Sequence, residues 1–442
     1  MPAGGGLLQL VAQGKQDVFL TGNPQISFFK LVYRRYTNFA IESQPMYFDG
    51  TPNFGQRITC LIPRKGDLLG SIYLDITLPR LVLDASTTAV SYVNAIGHAI
   101  IQEITFEIGE QEIDRQTGEW MELWTQLSTP ISQREALNNM IGRVNAYAPP
   151  NFIVGPKSAG LRLQIPLQFY FCRNPGLYLP LLALQYHPIR INITLAPLQR
   201  LFYSPDLKRN ITDECPQLYV NPQATITNMM LWGDYVYLDV EERRRFVSQS
   251  HEYLIEQVQY TPPYSITAKQ QIANIQTDFN HPIKEFIFVA QRDYMQQINE
   301  TFNYSNLAIG EPVPPTLEPY MNLDQTRLDL IATALLQLDG YDRFQVRGAD
   351  YFRLVQPYQH HTTTPVDNFI YVYSIAIRPE DIQPTGTLNA SRIDSVNWQI
   401  QMNPLLEMAP ITSRGNCSIR VYATNYNILR VVNGYGGLLF TI

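Results

Sequence analysis

Ile189, Ile191, Ile193 and Leu195 alternate with Arg190, Asn192 and Thr194. A period of two puts one set of side chains on a core and the other towards solvent or another subunit. The pattern recurs in Ile72, Leu74, Ile76 and Leu78, opposite Tyr73, Asp75 and Thr77. It returns in Ile104, Phe106 and Ile108, in Leu161, Leu163, Ile165 and Leu167, and late in the chain in Val396, Trp398, Ile400 and Met402. Thirty-one prolines and 25 glycines supply turns between short elements, and 27 tyrosines with 20 phenylalanines favour strands. An all-β protein follows. At 442 residues it has room for two β-sandwiches of ~200–250 residues each.

Two segments break the alternation. Trp120, Leu123, Trp124 and Leu127 fall on one face of a helix. Leu137, Met140, Ile141 and Val144 do the same, with Ser132 and Glu135 as a capping-box signature upstream and Pro149-Pro150 as the stop. A helical insertion therefore interrupts the first run of strands. Strands are expected near Leu218–Val220 and Trp232–Leu238, and then Asp239–Phe246 carries the densest charge in the chain. Its three consecutive arginines could bind phosphate. The favoured reading is a solvated connector turn with Glu241 and Glu242 pairing to them at helical spacing. This marks the boundary between halves.

Beyond it, strands are expected at His251–Tyr260, Ile272–Phe279, Ile283–Ala290, Phe369–Arg378, Val396–Met402 and Ile419–Tyr426. Thr301–Tyr320, rich in Pro, Asn and Gly, reads as a long surface loop. Leu323–Leu338 fits a helix through Leu328, Ile331, Ala332 and Leu335, or a strand before the Asp339-Gly340 turn. The halves share an outline. Pro175-Gly176 precedes the strand at Ile189–Leu195, and Pro384-Thr-Gly386 precedes that at Val396–Met402. Two similar sandwiches in tandem are expected.

The N-terminal stretch Asp17–Glu42 interleaves Phe28, Phe29, Tyr33, Tyr36 and Phe39 with Lys30, Arg34 and Arg35, after a Gly22-Asn23-Pro24 turn. Stacking plus phosphate contact would suit nucleic acid. The first strand of a β domain, with basic stems along apolar surface, suits the residues equally. The net charge of −6 weighs against wrapping nucleic acid. Leu7, Leu8, Leu10 and Val11 form a small apolar cluster that must dock on its own domain or a neighbour.

No reaction centre emerges. Gly14-Lys15 lacks the phosphate-loop glycine, since position 9 is Gln9, and His251-Glu252 lacks the second zinc histidine, since Ile255 stands there. His360-His361 reads as a loop pair without carboxylates at ligand spacing. Cys60, Cys172, Cys215 and Cys417 are far apart and read as reduced thiols. Asn-x-Ser/Thr triplets occur at Asn192, Asn210, Asn299, Asn303, Asn389 and Asn416, with Asn192 inside an expected strand. The start lacks the pattern of a signal peptide, and no apolar run approaches ~18 residues, so cytosolic folding is expected. A structural or binding protein is favoured over an enzyme.

Specific stretches carry a resemblance. Asp17-Val-Phe-Leu-Thr-Gly-Asn-Pro-Gln-Ile-Ser-Phe-Phe-Lys30 and Tyr33-Arg-Arg-Tyr-Thr-Asn-Phe-Ala-Ile-Glu-Ser43 are followed in order by Gly66-Asp67-Leu68, Glu107-Ile-Gly-Glu-Gln-Glu-Ile-Asp114 with Gly118-Glu-Trp120, and Leu179-Pro-Leu-Leu-Ala-Leu-Gln-Tyr-His187. Trp232-Gly-Asp-Tyr235, His251-Glu-Tyr-Leu-Ile-Glu-Gln257, Val355-Gln-Pro-Tyr358, Gln383-Pro-Thr-Gly-Thr-Leu-Asn-Ala-Ser-Arg-Ile-Asp394 and Asn425-Tyr-Asn-Ile-Leu-Arg430 continue the series. Nearly end to end, the chain resembles the major capsid proteins of nucleocytoplasmic large DNA viruses, most closely the phycodnavirus and chlorovirus type. It departs from them at Ile108-Gly-Glu-Gln111, where a second glycine is frequent, and at Leu388 and Ala390, where Cys and Phe are.

The resemblance implies an all-β double jelly roll, two tandem eight-stranded antiparallel sandwiches with short helical insertions. The expected layout is an assembly arm over 1–23, a first jelly roll over 24–239, a linker over 240–250 and a second jelly roll over 251–442. It implies a homotrimer that forms a pseudo-hexagonal capsomer of an icosahedral shell, made and assembled in host cytoplasm, with no cofactor, metal or catalytic residue. Implied partners are neighbouring capsomers, minor capsid and penton proteins, the inner viral membrane and surface glycans, without direct nucleic-acid contact. Outer-face loops would be Ser128–Gly160, Gln199–Pro222, Asp293–Asn322 and Gln356–Asp367. Phe28, Phe29 and Phe39 would pack at the start of the first sandwich. Leu7, Leu8, Lys30, Arg34 and Arg35 become the candidate assembly residues. The alternatives are a minor paralogous capsid protein, a glycan-binding virion surface protein, or an enzyme on a double sandwich.

Overall fold

The computed structural model describes residues 4–81, 91–143, 160–203, 225–267, 269–308, 328–404 and 415–441. Two compact units divide it, Met1–Asn38 and Phe39–Ile442.

In the first unit, α1 (Gly5–Val11) and α2 (Val18–Thr21) bury no side chain. Asp17 braces the turn between them, its carboxylate accepting from Gly14 N at 2.7 Å. Asn23 takes a left-handed φ of 53° and turns the chain away from α2. Residues 24–38 enter no sheet. The first strand begins only at Phe39, so it takes in the last four residues of the Asp17–Glu42 stretch, while residues 24–38 have no paired neighbour for their backbone. Phe28 and Phe29 are 89% and 99% exposed and Phe39 is half exposed, so the expected packing at the start of the first sandwich is corrected.

The second unit begins with β1 (Phe39–Met46), β2 (Arg57–Leu61), β3 (Leu68–Leu78), β4 (Ile101–Ile108), β5 (Gln111–Thr117), β6 (Leu161–Pro166), β7 (Ile189–Leu195) and β8 (Asn228–Leu238). They form two antiparallel sheets in the orders β1-β8-β3-β6 and β2-β7-β4-β5. The alternating residues Ile72, Leu74, Ile76 and Leu78 meet Ile189, Ile191, Ile193 and Leu195 in one core. The opposite face of β7 is not simply polar and wet. Asn192 is buried, donating to Thr105 Oγ1 at 3.2 Å and Glu107 Oε1 at 2.7 Å and accepting from Thr59 Oγ1 at 2.8 Å.

The insertion is helical as read. α3 (Gly118–Ser128) is capped by Thr117, whose hydroxyl accepts from Trp120 N at 3.1 Å. Gly118 is required, since a Cβ there would lie 2.0 Å from His98 O and 2.3 Å from Ile101 O. α4 (Ile131–Ile141) starts directly after Pro130, which places Ser132 inside its first turn, so the expected Ser132–Glu135 capping box does not form. Val144, Pro149-Pro150 and the strand expected at Leu218–Val220 lie outside the described residues.

The charge cluster forms α5 (Val240–Ser248) rather than a turn, with the Asp239 carboxylate accepting from Val240 N at 2.7 Å. Glu241 and Glu242 occupy its first turn, where the helix dipole favours them. Arg243 reaches Asp67 at 3.2 Å.

The second half contains β9 (His251–Tyr260), β10 (Ile272–Thr277), β11 (Pro282–Arg292), β12 (Ile331–Leu338), β13 (Tyr371–Ser374), β14 (Val396–Met402), β15 (Cys417–Val432) and β16 (Tyr435–Leu438). One sheet runs β9-β15-β11-β13, with β16 on β15, and the other runs β10-β14-β12 with short pairings at Tyr341–Asp342 and Arg347–Gly348. The ambiguous run resolves as β12, followed by left-handed Asp339 and Gly340, the conformation a tight hairpin needs. Trp398, Phe286, Phe288, Phe352 and Tyr371 centre this core. The described part of the expected surface loop is interior: Tyr304, Ser305 and Asn306 are buried, with the Tyr304 hydroxyl, the Ser305 hydroxyl and Asn306 Oδ1 hydrogen-bonded within the fold. The whole is a double jelly roll with helical insertions.

Candidate assembly site: the joint between the halves and the arm

The apolar face of α3 is not turned to its own sandwich alone. Trp120, Leu123, Trp124 and Leu127 pack with Val258, Ile287, Val289, Phe369, Ile370, Val372 and Tyr422 of the second half. Trp120 stacks on Trp124 with centroids 5.7 Å apart and meets Tyr422 at 5.8 Å. In return, Ile255, Leu429 and Val431 of the second half complete the first core.

Polar contacts border this seam. Glu119, at the start of α3, pairs with Arg420 Nε at 2.7 Å and accepts from the hydroxyls of Tyr304, at 2.9 Å, and Tyr422. Glu256 on β9 holds Arg173 Nη1 of the first half at 2.9 Å and Lys284 Nζ of its own half at 2.7 Å. Both cations lie near Trp124, the Arg173 Cζ 4.4 Å and Lys284 Nζ 5.5 Å from the ring centroid. Asp114 accepts from Val258 N at 3.1 Å, and burial pushes its carboxyl up to about 6 against those hydrogen bonds. The β16 hairpin returns to the first half: His187 Nδ1 lies 3.0 Å from Gly436 O, and Leu438 N donates to Gln111 Oε1 at 3.0 Å.

Two histidines sit in charged interiors. His361, expected in an isolated loop pair, lies fully buried between Glu285 at 3.1 Å and Glu380 at 2.9 Å. Its carboxylates are brought by other elements, so spacing along the chain does not reveal them. Burial alone would depress its imidazole, but the hydrogen bonds to the two carboxylates prevail and hold it up at about 9. His98 pairs with Glu122 at 2.8 Å, and burial with Arg143 nearby drives it down to about 3. Among the described residues no three His, Cys, Asp or Glu side chains are placed so that they could hold a metal ion, and no helix is long and apolar enough to cross a membrane. Cys60, Cys172 and Cys417 are free thiols, and burial raises Cys60 and Cys172 to about 12; Cys215 lies outside the described residues.

The sequence-derived assembly residues lie in the N-terminal unit. Leu7 and Leu8 are 69% exposed on α1, and Lys30, Arg34 and Arg35 are exposed in irregular chain beyond α2. The joint residues Glu119, Arg173, Glu256 and Lys284 were not legible as a group. The helical spacing of Trp120 and Trp124 was the one signal that pointed there.

The double jelly roll is a fold this chain shares with viral shell proteins. The chain belongs to the large eukaryotic DNA virus major capsid proteins: a family profile of that description matches residues 242–437, and one for the major capsid protein N-terminus matches residues 27–239. It is 37% identical to the major capsid protein of Phaeocystis pouchetii virus, over 99% of each chain, and 35% identical to that of Paramecium bursaria Chlorella virus 1, also over 99% of each. A chain of the PBCV-1 virus capsid superposes with a TM-score of 0.73 at 29% identity, covering 94% of this chain and all of that one. The Faustovirus major capsid protein shares the fold, with a TM-score of 0.75 at 11% identity over 95% of this chain and 94% of the other. The chain's place is the virion capsid.

Proposed function

We propose that three copies of this chain form a pseudo-hexagonal capsomer and that capsomers tile the icosahedral shell of a large DNA virus. The observation that carries this reading is the tandem pair of sandwiches with matching sheet orders. Duplication gives a threefold object six similar walls, so one polypeptide fills near-sixfold lattice positions. The role is structural rather than enzymatic. Light scattering coupled to size exclusion on the purified chain should return the mass of a trimer, and a strict monomer under all conditions would overturn the reading.

The N-terminal unit is the assembly arm in this proposal. Leu7 and Leu8 offer apolar contact, and Lys30, Arg34 and Arg35 offer charge to neighbouring capsomers, minor capsid and penton proteins or the inner membrane. Surface glycans would sit on outer-face loops within Ser128–Gly160 and Gln199–Pro222, much of which lies outside the described residues, whereas Asp293–Asn322 and Gln356–Asp367 bury Tyr304, Ser305, Asn306 and His361. Folding and assembly take place in host cytoplasm.

A further inference from the structure

We infer that Glu119 and Glu256 are positioning residues that fix the angle between the two sandwiches as a two-point latch. The aromatic seam by itself is a poor goniometer. Stacked and tilted rings at 5.7–5.8 Å, such as Trp120 with Trp124 and Tyr422, lose little contact when they slide, because dispersion and burial are not directional. Charge-assisted hydrogen bonds are directional and short-ranged.

Glu119 and Glu256 reach across the joint in opposite directions, beside Asp114, which accepts from Val258 N. Glu119 comes from the first half and is held by Arg420, Tyr304 and Tyr422 of the second. Glu256 comes from the second half and is held by Arg173 of the first. Its other oxygen is tied to Lys284, whose ammonium also donates to Pro379 O at 2.6 Å, so the carboxylate cannot swing to follow a moving partner. Arg173 is anchored in its own half through Nε to Gln168 O at 3.0 Å. A single such contact would leave a pivot, whereas two, made by different strands and helices, remove it. Buried or half-buried pairs of this kind contribute little net stability, and their best-attested use is to select one arrangement among several.

The inference concerns the isolated chain and does not depend on shell formation. Nitroxide labels at Tyr47→Cys and Tyr341→Cys, both on exposed residues of different halves, would be read by double electron–electron resonance in a Cys215→Ser background. The parent is expected to give one narrow distance. The Glu119→Gln/Glu256→Gln pair is expected to lose it, giving a broadened or second distance, while near-ultraviolet dichroism of the tryptophans and cooperative unfolding persist. Arg173→Lys, which keeps the charge but loses the Nε anchor to Gln168 O, should broaden the distance less than Glu256→Gln does. If the double variant fails to fold, each single variant is measured: broadening in either supports the latch. An unchanged distribution in every folded carboxylate variant overturns it and assigns the angle to the apolar seam and the remaining cross-joint hydrogen bonds.

Discussion

His361 Nε2 lies 3.1 Å from Glu285 Oε2, and both side chains are shut away from solvent. The imidazole is held at about 9, above its ordinary 6.5, so it binds its proton more tightly in the folded chain. Its contribution is complete below the unfolded value of 6.5 and is lost as pH rises through about 9. Urea unfolding between those values should show that alkaline decline, and His361→Gln, less stable at neutral pH, should lack it. A parent stability that stays flat across the interval would refute the assignment.

Gly118 admits no side chain. Gly118→Ala would push a methyl against two backbone carbonyls, neither of which can rotate away. A loss of about 3 kcal/mol or more is expected, at the upper end of overpacking costs. The midpoint of denaturant unfolding checks it.

Trp124→Ala should remove the indole shared by Arg173 and Lys284 and open a cavity at the joint. The expected cost is about 3–5 kcal/mol. Because the two cores meet here, differential scanning calorimetry should show the single transition splitting into two.

Arg34→Glu with Arg35→Glu should leave the fold and trimer mass unchanged, since both residues lie in a unit separate from the sandwiches. Particle yield should fall sharply in a shell-assembly assay. Normal yield would remove the arm's basic residues from assembly.

Much of the β architecture was readable because burial imposes a period on the residues that line a core. Ile189–Leu195 and Ile72–Leu78 are strands for that reason. Periodicity names a face but not its cover. Trp120 and Trp124 announced a helix, while their partners at Ile287 and Val372 come from strands far along the chain. Polar composition misled over the described residues 301–308, because Ser305 donates to Asn303 within the fold. His361 misled for the related reason that Glu285 and Glu380 approach it only through the fold. Residues 323–338 carried both periods at once, and the pairing of β12 with β14 decided between them. The Asp17–Glu42 stretch suits a first strand by its aromatic and basic interleaving, yet only Phe39–Glu42 enter one, because interleaving does not supply residues 24–38 with a neighbour to pair with.

The seam on α3 also sets a schedule. Tyr422 lies 303 residues beyond Glu119. At a synthesis rate of ~5–20 residues per second, that gap lasts roughly 15–60 s. Cover for Trp120 and Trp124 arrives piecemeal within it, first Val258, then Ile287 and Val289, then Phe369–Val372, and it is complete only with Tyr422. At the high polysome density that production of a coat protein demands, identical faces on neighbouring nascent chains become competitors for each other. Yield is then governed by how quickly the ribosome delivers β9, β11 and β15, a kinetic burden written into a joint that is stable once closed.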